Sequence, residues 1–151
     1  MNYKRTLLAA SLLCLSAVAI AAPTTCQKVQ KQDIESLFDR WNSSLQTGDA
    51  HKVAANYLSD SVLLPTVSNK VRLTEAERVD YFEHFLEKKP QGKIDSRTIH
   101  IDCNTAMDNG TYTFTFADKT QVSARYSFTY RWNGKEWLIS SHHSSAMPEK
   151  V

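Results

Sequence analysis

The sequence predicts an α+β fold in which three helices come first and a strongly curved antiparallel sheet follows. Apolar residues recur at spacings of three and four in the first half, then at spacings of two from about Ile99 onward. A capping box, Thr74-Glu75-Ala76-Glu77, marks the last helix start before the period changes.

The first helix runs over residues 29–46, with Ile34, Leu37, Phe38, Trp41 and Leu45 on one stripe. Gly48 ends it, and Asp49 caps a second, shorter helix that carries Val53, Tyr57 and Leu58. A short strand over 61–64 stops at Pro65, and an extended piece over 70–73 follows a loop. Thr74 then caps a third helix through Lys88, with Val79, Phe82, Phe85 and Leu86 inward. Pro90 and Gly92 end that helix. Beyond it, Ile99, Ile101 and Cys103 alternate with His100 and Asp102. Asn109-Gly110 is the dipeptide of a two-residue hairpin, so a turn is expected there. Tyr112, Phe114 and Phe116 alternate with threonines, and Asp118-Lys119 turns again. Val122, Ala124, Tyr126, Phe128 and Tyr130 share one face of a long strand. Asn133-Gly134 leads into a last strand over 137–145. Such a sheet is large for its helices and should curl around them, leaving a cavity on one side and a broad face on the other.

Residues 1–21 have the zones of a cleavable signal peptide. Lys4 and Arg5 precede an apolar run over 6–20, too short to span a bilayer comfortably, and Ala19-Ile20-Ala21 supplies the small residues of a cleavage site before Ala22. The mature chain, a single domain over 22–151, is expected in the periplasm or outside the cell. Loss of Lys4 and Arg5 leaves 16 basic against 16 acidic residues. A balanced domain without a basic run has no electrostatic footprint for nucleic acid or an anionic membrane. Cys14 departs with the leader, and the remaining Cys26 and Cys103 are expected to pair in an oxidising compartment, two free thiols being the alternative.

Arg125 is the leading candidate for ligand binding. It sits mid-strand among Ser123, Ser127 and Thr129, and a buried guanidinium must find an anion. Arg72 and Arg78 bracket the third-helix cap and are candidates for the same mouth, as is Tyr126 for the pocket wall. His142 and His143 are neighbours on a strand and point to opposite faces, so they cannot chelate one ion, and no metal or cofactor is expected. His100 and Asp102 share a strand face and are the acid–base candidates for any catalysis.

Two stretches carry a resemblance. Asp80-Tyr81-Phe82-Glu83-His84-Phe85-Leu86 and Asn133-Gly134-Lys135-Glu136-Trp137-Leu138-Ile139, followed by His142-His143-Ser144-Ser145-Ala146-Met147-Pro148, are similar to the association (hub) domain of calcium/calmodulin-dependent protein kinase II. That domain is a branch of the nuclear transport factor 2-like (SnoaL-like) superfamily. The resemblance implies a cone of curved sheet and helices, a pocket for acidic small molecules, and self-association through the sheet, with a homodimer the first choice. It places Arg125 at a pocket arginine and His143 at a C-terminal pocket or interface histidine, while Arg78 stands where the hub has a helix histidine. No kinase is implied, since no phosphate-cradling glycine loop or catalytic loop is present. The expected function is therefore a non-catalytic, exported, self-associating domain that holds a small anionic molecule. An isomerase- or dehydratase-like enzyme and a pure assembly or partner-binding module are the alternatives.

Overall fold

The first helix forms where a side chain closes its first turn. Asp33 Oδ2 accepts from the Gln30 N–H at 2.8 Å and opens α1 (Lys31–Leu45). The computed structural model describes residues 25–148, so the expected leader and its cut before Ala22 lie outside the described residues. Asp49 caps α2 (Ala50–Ala54), accepting from the His51 N–H at 3.0 Å. Asn56 then stops this helix, its side-chain amide donating to the carbonyls of Lys52 and Val53 at 3.0 and 3.1 Å. Tyr57 and Leu58, expected on the helix, therefore belong to a strand, β1 (Tyr57–Leu64). Thr74 and Glu77 form the expected reciprocal cap of α3 (Glu75–Leu86).

The remaining strands are β2 (Gln91–Ile101), β3 (Thr105–Thr115), β4 (Gln121–Trp132) and β5 (Trp137–Ala146), in the sheet order β1-β5-β4-β3-β2. Four of the strands form the expected antiparallel meander, and β1 adds a fifth by pairing parallel to β5. One expected turn is absent. Asn109-Gly110 lies in the middle of β3, paired with Thr98 and Arg97 on one side and Ser127 and Tyr126 on the other. Asp95 is an extra residue in β2 at this point, and the bulge pushes the β2 backbone toward Gly110. A Cβ on Gly110 would lie 1.9 Å from the Ser96 carbonyl oxygen, so the glycine serves close approach rather than a turn. The real β2–β3 turn spans 102–104.

A second bulge shapes β5. Tyr130 pairs with Ile139 and Thr129 with Ser141, which leaves Ser140 over. Side chains that alternate inward at Trp137 and Ile139 therefore resume inward at His142 instead of His143.

The inner face of the sheet packs on the α1 stripe. Trp41 touches Phe114 and Phe128 edge-on, and Phe38 stacks on Tyr126. Cys26 and Cys103 are bonded and tie the segment before α1 to the β2–β3 turn. Asn104 reinforces the tie, accepting from the Gln27 N–H at 2.9 Å and donating to the Thr25 carbonyl at 3.2 Å.

Candidate functional site

The curl of the sheet leaves a cavity of about 590 Å³ between β3, β4 and β5 on one side and α3 with the 65–73 loop on the other. Its wall is largely aromatic. Tyr81 and Phe85 come from successive positions on the inner side of α3, and Phe114 and Phe116 come from the end of β3 and just beyond it. Such a wall fits a small organic body of one or two rings.

Polar groups enter this wall at two levels. His142, only 4% exposed, is stacked on Phe128 with ring centroids 3.9 Å apart. Its Nδ1 is 2.9 Å from the Tyr57 hydroxyl, and its Nε2 is buried with no hydrogen-bond partner among the described residues. Burial pushes its pKa down to about 3, so the ring is neutral near pH 7. Beside it the Tyr112 hydroxyl donates to Ser144 Oγ at 2.6 Å, and Ser144 also bonds Thr66. Burial raises the Tyr112 pKa well above the ordinary tyrosine range, which keeps that hydroxyl protonated.

The upper level carries charge. Arg72 pairs with Asp80 through one terminal nitrogen and lies over the Tyr81 ring, 5.7 Å from its centroid. Its Nε is buried without a partner among the described residues. His84, also on the wall, has its pKa raised by the hydrogen bond of its Nδ1 to the Asp80 carbonyl. Burial raises Tyr81 to about 12.

Of the residues singled out from the sequence, Arg72 is the one that the cavity receives. Arg125 projects from the other face of β4, exposed between Thr111 and Ser145, because its neighbours Ala124 and Tyr126 take the inward positions. Arg78 is buried but turned toward the β1 backbone. It donates to the carbonyls of Ser61, Leu58 and Ser59 at 3.0, 3.1 and 3.4 Å and lies over the Tyr57 ring. Burial lowers its pKa. This arginine fastens α3 to β1 through its terminal nitrogens; its Nε is buried without a partner among the described residues, and Arg78 does not line the cavity. Tyr126 faces inward, yet its hydroxyl is given to Asp108 Oδ1 at 2.8 Å. His143 is exposed on the outer face, displaced there by the Ser140 bulge. His100 and Asp102 are both exposed, and Asp102 accepts from the Cys103 N–H at 2.7 Å in the β2–β3 turn. Neither touches the cavity.

The resemblance points to His143, and only the Ser140 bulge brings its neighbour His142 inward instead. Asp108 was hidden by the hairpin reading of Asn109-Gly110. It is fully buried, with Oδ2 2.8 Å from Arg97 Nη2.

The family model of the calcium/calmodulin dependent protein kinase II association domain matches residues 30–148. None of the curated proteins matches. Among solved structures, a Xanthomonas campestris protein assigned to the same kind of association domain is 46% identical, covering 86% of this chain and 100% of its own, with a TM-score of 0.76. A nuclear transport factor 2-like superfamily protein from Salmonella enterica is 17% identical over 80% of this chain and 93% of its own, TM-score 0.64. A protein from Streptomyces avermitilis, assigned as a dehydratase of the same superfamily, is 11% identical over 78% and 96%, TM-score 0.66. The last two likenesses are of fold.

Proposed function

The chain belongs to the calcium/calmodulin dependent protein kinase II association domain family, and from that premise we propose an exported, self-associating domain that binds a small acidic organic molecule without transforming it. One observation carries the binding reading. Two side-chain nitrogens of residues that line one aromatic cavity, His142 Nε2 and Arg72 Nε, are buried without partners among the described residues. A buried donor left unpaired costs about 1–3 kcal/mol, and a ligand that accepts from it recovers that loss. Arg72 supplies the positive charge at the mouth that an acidic group needs. The membership supports self-association, and the outer face of the sheet, rich in serine and threonine with Arg125 and His143 exposed on it, is the surface on which a second copy would sit as a homodimer. The leader-like start and the Cys26–Cys103 bond support export. An acid–base enzyme has less support, because His100 and Asp102 lie away from the cavity.

Thermal unfolding with benzoate, phenylacetate and 1-naphthoate tests the reading. A bound acid at a hundredfold excess over its Kd stabilises the fold by about 2.7 kcal/mol. The shift should shrink in Arg72→Leu. No shift with any acid in the unaltered protein would overturn the binding reading.

A further inference from the structure

The two nitrogens of His142 are not interchangeable. Trp41 Nε1 lies 3.2 Å from the Tyr57 hydroxyl oxygen, and that oxygen lies 2.9 Å from His142 Nδ1. An indole N–H only donates, so Tyr57 must accept from Trp41. The single hydroxyl hydrogen of Tyr57 is then free, and His142 Nδ1 is within its reach. Donation to Nδ1 pairs Trp41, Tyr57 and Nδ1 and leaves only Nε2 over. The reverse arrangement, with Nδ1–H donating to Tyr57, leaves a hydroxyl hydrogen buried without an acceptor, and burying a polar group unpaired is costly. Burial also raises the Tyr57 pKa well above its ordinary value, so the hydrogen stays on the oxygen.

From this geometry we infer that Tyr57 locks His142 in the tautomer protonated at Nε2, making the deep wall of the cavity a neutral donor that selects ligands carrying an uncharged acceptor oxygen there. The chain Trp41, Tyr57, His142 joins α1, β1 and β5, so the three main pieces of the cone fix the direction in which one proton points. Tyr57 is a positioning residue and never meets the ligand. This inference rests on the binding reading above and adds a second, non-ionic requirement at the opposite end of the molecule from its acid. A ketone or aldehyde oxygen on an aromatic body satisfies it, and a hydrocarbon of the same shape does not.

Two measurements on the full mature protein test it. Nitrogen-15 spectra of the imidazoles should show His142 with a bare Nδ1 and a protonated Nε2 before any ligand is added. Tyr57→Phe should release the lock and give a mixture of tautomers. Acetophenone should bind about tenfold more tightly than α-methylstyrene, in which a methylene group replaces the carbonyl oxygen. The wild-type spectrum needs no variant, so a Tyr57→Phe chain that failed to fold would leave the assignment testable. Protonation at Nδ1, or equal binding of ketone and alkene, overturns the inference even where benzoate binds. An intact Nε2–H signal with no binding of any compound upholds the lock and overturns the ligand reading instead.

Discussion

Asp108 and His142 stand on the same rung of the sheet, one on each side of Phe128. Both are polar, both face inward, and neither is more than 4% exposed. Their circumstances are opposite. Asp108 has one carboxylate oxygen on Arg97 and the other on Tyr126, each at 2.8 Å. His142, on the cavity wall, has one nitrogen on Tyr57 and the other buried without a partner among the described residues. The chain answers the first group from within itself and leaves the second to be answered from outside. Burial alone therefore does not mark a binding group; an unanswered hydrogen bond on a residue of the cavity wall points to one.

That contrast breaks most visibly at Asp108. Asp108→Ala strips the partner from Arg97 and leaves the Tyr126 hydroxyl without its acceptor. The expected cost is about 3–5 kcal/mol of unfolding free energy, read from urea denaturation. A loss under about 1 kcal/mol would mean that Arg97 finds water as readily as carboxylate.

At His142 the contrast is read through pH. Its folded pKa, near 3, lies below the unfolded value of about 6.5. As pH falls below 6.5 the unfolded chain takes up a proton that the folded one refuses, so stability declines until about pH 3. His142→Phe removes this dependence and keeps a ring on Phe128. Between pH 7 and pH 4.5 the variant should gain about 2–3 kcal/mol relative to wild type, measured by paired urea titrations. Parallel curves for the two proteins would contradict the burial of a neutral imidazole.

The smallest effect is expected outside the rung altogether. Arg125→Ala, on the exposed face, should change stability by no more than about 0.5 kcal/mol and leave the benzoate-induced thermal shift intact. Loss of that shift would move the binding site to the outer face of the sheet.

The fold was largely legible because its helices and long strands announce their period. The α1 stripe and the Thr74 cap are local signals, and each acts where it is written. The site was less legible, and the reason is specific. Two single-residue bulges, at Asp95 and Ser140, carry no compositional signature, yet each changes which side chains face the interior. The first turns Asn109-Gly110 from a hairpin signal into a close contact. The second exchanges His143 for His142. Arg125 lies outside the cavity for a related reason, since hydrogen-bonding neighbours on a strand describe an outer face as well as a pocket. Arg78 shows a further limit: a buried guanidinium can be met by backbone carbonyls, which no sequence pattern displays.

The extra residue at Ser140 also bears on how such a cone diversifies. Lining residues usually change one substitution at a time. Straightening this bulge with every residue kept would instead turn the end of the strand over in one step, carrying His143 and Ser145 into the cavity and His142 and Ser144 out of it. Two relatives can therefore carry the same letters in the same aligned columns and offer their ligands different chemistry. A histidine matched by column need not be the same histidine in space.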